Sequence, residues 1–130
     1  MLAFAKPQQT AAETPPAKWE DVCSIEEIPR GAGVAALVDG RQVALLRSRD
    51  GGRVYALSNF DPFSKTFVIA RGIIGDRAGV PKVASPMYKH SFDLKSGRCL
   101  DDASVRLDVY PVAVVRGRVL VGSMPDGVPA

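Results

Sequence analysis

Four glycine-centred tight turns, Asp39-Gly40, Gly51-Gly52, Ser96-Gly97 and Arg116-Gly117, each separate two short apolar runs. A short turn with positive φ reverses the chain sharply and matches the twist of antiparallel strands, so each site predicts a hairpin. Val34 to Val38 and Gln42 to Arg47 flank the first turn. Arg53 to Leu57 follows the second, with Val54 and Ala56 on one face and Tyr55 and Leu57 on the other. Ser91 to Leu94 and Arg98 to Leu100 flank the third. Val109 to Val115 reads as one strand rich in β-branched residues, and Arg118 to Val121 pairs back onto it. Many short strands joined this way predict an all-β class, an antiparallel sandwich or barrel of two small sheets.

The 130 residues suit one domain. Residues 1–18, rich in Ala, Gln, Thr and Pro, read as an N-terminal tail, residues 19–124 as the β domain, and 125–130 as a C-terminal tail. Trp19 opens the first strand. Ser24 and Glu27 stand at capping-box spacing and predict a turn of helix at Ser24 to Glu27. The middle differs. Asn59 to Pro86 contains Pro62, Gly72, Gly75, Gly79 and Pro81, and reads as one long loop or a pair of loops, with a short strand near Val68 to Ala70. A loop of that length in a small domain is usually functional.

The net charge of +3 is scattered, and no Lys/Arg run would track a phosphate backbone, so nucleic acid is set aside as a partner. No signal-peptide core and no membrane-spanning apolar segment is read, and a soluble, cytoplasmic protein is expected. Cys23 and Cys99 lie far apart and form no C-x-x-C pair. They read as two buried, reduced thiols, with a disulfide between them left open.

Two segments at the inner ends of the loop region carry the site question. One is Leu57-Ser58-Asn59-Phe60-Asp61-Pro62. The other runs from Ala84-Ser85-Pro86-Met87-Tyr88-Lys89-His90 into Ser91-Phe92-Asp93-Leu94-Lys95-Ser96-Gly97. The arrangement resembles the Rieske iron–sulfur domain, which has C-x-H, a long intervening stretch, C-P-x-H and then a hairpin like F-D-L-x-x-G. The resemblance covers roughly residues 19–122. At the ligand positions, however, stand Asn59, Asp61, Ser85 and Tyr88. A Rieske cluster takes two thiolates on one iron and two imidazoles on the other. An amide and a hydroxyl are not anions at neutral pH, and a phenol ionises only near pH 10. The resemblance therefore implies a Rieske-like fold without an iron–sulfur cluster. Hydrogen bonds from one loop to the other are the expected use of these four side chains; one carboxylate is thin support for a hard cation.

One subgroup of that fold lacks the ligands: the small subunits of cytoplasmic NAD(P)H-dependent nitrite reductases. Asn59-Phe60-Asp61-Pro62-Phe63, Arg71-Gly72-Ile73-Ile74-Gly75-Asp76, and Val83-Ala84-Ser85-Pro86 followed by Lys89 and Phe92 resemble its segments in order and spacing. The resemblance implies a non-catalytic subunit of an enzyme that reduces nitrite to ammonium in nitrate assimilation. It implies a large catalytic partner carrying FAD, an iron–sulfur cluster and sirohaem, and no cofactor in this chain. A free-standing binding or scaffold module is the alternative, and a true Rieske ferredoxin is the third.

No other chemistry gathers. Ser91 or Ser85, His90 and Asp93 lie along one short strand on alternating faces and cannot converge as a triad. Gly31-x-Gly33 leads into a strand and lacks a third glycine. Asp101-Asp102 is expected to cap or solvate a turn. The remaining candidates are contact residues. Phe60, Phe63 and Phe67 lie in or beside the first loop, and Met87 and Tyr88 in the second. Lys65, Arg71, Lys89 and His90 would form a mostly basic rim. Phe63, Phe67, Met87, Lys89 and His90 are taken as the partner-interface candidates.

Overall fold

The computed structural model describes residues 18–123. The tail readings at 1–17 and 125–130 lie outside the described residues. Twelve strands are present among those described: β1 (Trp19–Ser24), β2 (Gly33–Val38), β3 (Arg41–Arg47), β4 (Val54–Ser58), β5 (Phe60–Asp61), β6 (Thr66–Phe67), β7 (Ile73–Arg77), β8 (Val80–Ala84), β9 (Ser91–Asp93), β10 (Val109–Tyr110), β11 (Val112–Val115) and β12 (Arg118–Gly122). Two single 3-10 turns, Ile25–Glu27 and Ile69–Arg71, complete the regular structure. The first begins with the expected capping box. Ser24 Oγ accepts the Glu26 N–H, and Glu27 Oε2 accepts the Ser24 N–H. No helix among the described residues is long and apolar enough to cross a membrane.

All pairings are antiparallel and fall into four groups, β1-β12-β11, β10-β4-β3-β2, β5-β6 and β7-β8-β9. The β2–β3 and β11–β12 hairpins turn at Asp39-Gly40 and Arg116-Gly117, with positive φ at both residues of each turn. That is the backbone a twisted two-residue turn requires. The four-stranded sheet is the middle layer. On one face Ala44, Leu46, Tyr55 and Leu57 pack with Ile74, Val83, Phe92 and Leu94. On the other Val43, Leu45, Val54 and Ala56 pack with Val112, Val119 and Val121. The alternation read for Val54 to Leu57 is thus real, and both of its faces are core. Continuous apolar stretches such as Val43-Ala44-Leu45-Leu46 belong to a strand buried on two sides.

Three expectations are corrected. The arrangement is not two small sheets but three layers with an additional two-stranded ribbon. Val109 to Val115 is not one strand. Pro111, which has no N–H to donate, divides it into β10, paired with β4, and β11, paired with β12, so the chain changes sheets there. The stretch from Asn59 to Pro86 is not a long loop. It holds the β5–β6 ribbon and the β7–β8 hairpin, and the strand placed near Val68 to Ala70 is instead the Ile69–Arg71 turn. Pro81 is tolerated within β8 because only its carbonyl is engaged toward the chain beyond β9, accepting the Leu94 N–H at 2.9 Å.

Buried Arg47 at the end of β3 ties the middle layer to the first strand's loop. Its Nε donates to the Gly51 carbonyl at 3.0 Å, and its Nη1 to those of Ile28 (3.0 Å) and Ile25 (3.2 Å). Cys99 is buried beside Phe92 in the core, whereas Cys23 on β1 is half-buried; both are free thiols.

Candidate functional site

The ribbon β5–β6 and the segment between β8 and β9 present two neighbouring turns built alike. In the first, Asp61-Pro62-Phe63-Ser64-Lys65, Asp61 Oδ1 accepts the Phe63 N–H at 2.8 Å, and the Lys65 N–H returns to the Asp61 carbonyl at 2.7 Å. In the second, Ser85-Pro86-Met87-Tyr88-Lys89, Ser85 Oγ accepts the Met87 N–H at 3.3 Å, and the Lys89 N–H returns to the Ser85 carbonyl at 3.0 Å. Each turn thus starts at a buried polar residue followed by Pro and ends at a lysine with positive φ, 60° at Lys65 and 63° at Lys89. The two starting residues join the turns: the Ser85 hydroxyl donates to Asp61 Oδ2 at 2.5 Å, fully buried. The matched D-P-x-x-K and S-P-x-x-K spacing was available in the sequence, and reading the segments only as ligand positions passed over it.

Asn59 holds the base of the first turn. Its Oδ1 accepts the Ala70 N–H at 2.8 Å, and its Nδ2 donates to Gln42 Oε1 at 3.2 Å. Burial pushes the Asp61 carboxyl up, but the hydrogen bonds from Ser85, Phe63 and Ser64 outweigh it and hold the group below the usual carboxylate range. Three of the four ligand-position residues, Asn59, Asp61 and Ser85, are therefore buried and engaged within the fold. Tyr88 is apart from them, 62% exposed.

The contact candidates divide in the same way. Phe63 is half-buried against the core and stacks face to face on His90, ring centroids 3.6 Å apart and planes within 5°. That contact binds one turn to the other, and His90 Nδ1 is buried with no hydrogen-bond partner among the described residues. Met87 (48%) and Phe67 (53%) are exposed, as are Lys65, Arg71 and Lys89. Phe67 packs on half-buried Phe60, centroids 5.1 Å apart, beside a groove of about 390 Å³ also lined by Leu37, Arg41 and Tyr110. Ser91, His90 and Asp93 do not assemble as a catalytic set. The Ser91 hydroxyl receives a bond from Lys82 Nζ, and Asp93 Oδ1 caps the turn at Lys95. Asp102 likewise caps its turn through Ser104, while Asp101 accepts the Ser91 N–H and pairs with Arg77.

This donor set does not fit an iron–sulfur cluster. It offers one carboxylate, already saturated by donors, an amide and a hydroxyl turned inward, and a phenol pointing to solvent. The only thiols lie elsewhere, in β1 and in the core. Among the described residues no three His, Cys, Asp or Glu side chains gather around a common point for a metal ion. What the arrangement supplies is two hydrogen-bonded neighbouring turns with Lys65, Lys89, Met87 and Tyr88 exposed.

Residues 18–122 match the family described as Rieske-like [2Fe-2S] domain. The chain is 39% identical over 102 residues to the nitrite reductase (NADH) small subunit of Salmonella typhimurium strain LT2, covering 78% of this chain and 94% of that one. It is 40% identical over 123 residues to the nitrite reductase NAD(P)H large subunit of Klebsiella oxytoca. That match covers 95% of this chain but spans only 12% of the Klebsiella protein. Among solved structures it is similar to the nitrite reductase NAD(P)H small subunit from Erwinia carotovora, with a TM-score of 0.74 and 37% identity over 88% of each chain.

Proposed function

The chain belongs to the Rieske-like domain family and, within it, to the small subunits of NAD(P)H-dependent nitrite reductases, and from that premise we propose that it completes such an enzyme as its non-catalytic subunit. The reaction is the reduction of nitrite to ammonium with electrons from NADH or NADPH, in nitrate and nitrite assimilation in the cytoplasm. The observation that carries this reading is the identity maintained across 94% of the Salmonella small subunit. The partner is the large catalytic subunit, which would hold the FAD, iron–sulfur cluster and sirohaem. The Klebsiella relative supports that pairing, because a stretch homologous to nearly all of this chain is there part of the large subunit itself. Two chains whose counterparts are covalently joined have had their surfaces brought together at high effective concentration.

The small subunit's part is then to bind, not to turn over. The buried, internally satisfied Asp61–Ser85 pair and the inward Asn59 amide favour a scaffold over a reaction centre. The test is to co-express the chain with the large subunit of the same organism. Co-elution on size exclusion and faster nitrite-dependent NAD(P)H oxidation than by the large subunit alone are expected. Separate elution with no effect on the rate would overturn the reading.

A further inference from the structure

Resting on the small-subunit reading, we propose that the twin turns form a two-lysine docking tip for an acidic surface patch on the large subunit. Lys65 and Lys89 are its charges, Met87 and Tyr88 its apolar contacts, and the Asp61–Ser85 hydrogen bond the brace that sets one turn against the other.

The backbone is the first support. Five non-glycine residues among those described have positive φ. Asp39, Ala78 and Arg116 each precede a glycine in a hairpin turn, where the turn type demands that conformation. Lys65 and Lys89 remain, followed by Thr66 and His90. Glycine would occupy these two positions at no steric cost. A long cation is instead held in a disfavoured conformation at the same place in both turns, and such residues cluster where a side chain has work to do.

The second support is electrostatic. Pro62 to Gly72 and Pro86 to His90 contain no Asp or Glu, and Asp61, the acid between them, is fully buried and fully hydrogen-bonded. Both lysines are exposed. Each lysine N–H is bonded to the carbonyl of residue 61 or 85, and those two residues are bonded to each other, so the cations leave the fold from abutting turns. Exposed Asp101 and Asp102 lie within electrostatic reach of His90 at the end of the second turn, Asp101 already paired with Arg77, so the charges that the turns themselves present are Lys65 and Lys89. An exposed pair of cations favours a partner of the opposite sign and steers its approach. The exposed Met and Tyr beside Lys89 indicate a protein partner, since these residue types are enriched at protein interfaces.

The experiment measures the dissociation constant of the full-length chain with the intact large subunit at low and moderate salt. Lys65→Glu and Lys89→Glu are each expected to weaken binding roughly tenfold or more, less so as salt rises. Lys65→Arg and Lys89→Arg should retain affinity, because charge and backbone demand are unchanged. Lys95→Glu, an exposed reversal on the β9 turn, should bind like the unaltered chain. Thermal unfolding of each variant verifies the fold. Normally folded glutamate variants that bind at full strength would overturn the tip while leaving the small-subunit reading standing. Failure of the unaltered chain to bind would overturn that reading, and the tip with it. Retention of the unaltered chain on phosphatidylserine vesicles, lost in the glutamate variants while subunit affinity holds, would assign the tip to a membrane surface and overturn the proposal.

Discussion

Asp61 has no surface exposure, yet it is held in its charged form by hydrogen bonds, with no ion pair to it among the described residues. Its folded pKa lies below the ordinary value of about 3.9. A carboxyl shifted down stabilises the fold above its unfolded pKa, and that contribution is lost as pH falls through the lower, folded value. Acid denaturation of the unaltered chain should therefore steepen below about pH 4. Asp61→Asn keeps the shape but removes the titration, and should flatten that slope at a cost of about 1 kcal/mol near neutrality. Asp61→Ala leaves the Ser85 hydroxyl and the Phe63 N–H without their acceptor and should cost about 3 kcal/mol. Chemical denaturation across a pH series checks all three; a slope unchanged in the Asn variant would mean that another carboxyl sets it. The resemblance singled out Asp61 and Ser85 as ligand positions, and the D-P and S-P turn starts at the same residues went unread. The sequence could not show that Tyr88 turns away from the other three, since that depends on how residues 85–89 wind above the buried Ser85.

At the scale of elements, what the sequence displays is turn chemistry. Asp39-Gly40 and Arg116-Gly117 announce their hairpins because glycine accepts positive φ there. The β7–β8 hairpin went unread because its turn is Ala78-Gly79, with an alanine at φ 52° where Asn or Asp is the usual signal, and because Pro81 argues against a strand. Its strand character is set by tertiary packing, with Ile74 and Val83 entering the core as partners. The sheet change at Pro111 was legible, because a proline inside the Val109 to Val115 run cannot donate to the ladder, and reading the run as one strand passed over it. Two glycines separate turn demand from packing demand. At Gly79 (φ 87°) a Cβ would meet nothing within 4 Å, so Gly79→Ala should cost only the backbone penalty, about 1 kcal/mol. At Gly97 (φ 78°) a Cβ would fall 2.2 Å from the Leu107 carbonyl, between the β9 turn and the strand entering β10. Gly97→Ala should cost about 3 kcal/mol or more, since backbone and neighbour must both shift. Urea midpoints of the two variants distinguish the cases, and equal losses would mean that the close approach at Gly97 relaxes freely.

For the molecule as a whole, the tip joins stability and association, and Phe63 and Met87 separate them. Both stand two residues after the buried start of their turn, so the twin geometry makes them counterparts. Their surroundings differ. Phe63 lies against the core cluster of Phe92 and Leu94, stacked on His90, and tilts against Phe92 at 6.2 Å between centroids. Met87 is 48% exposed. Phe63→Ala should therefore lower stability by about 3 kcal/mol, as expected for removing a large side chain packed on a core. It should weaken association only through the loosened tip. Met87→Ala should leave the unfolding midpoint within about 0.5 kcal/mol of the unaltered chain. If Met87 is a central contact, the same change should cost about 2 kcal/mol in binding to the large subunit. Measuring both quantities for both variants gives a crossed pattern, stability lost in one and affinity in the other. A Met87→Ala protein with full stability and full affinity would remove this side chain from the contact and move the apolar part of the interface toward Phe67 and the groove it shares with Phe60 and Leu37.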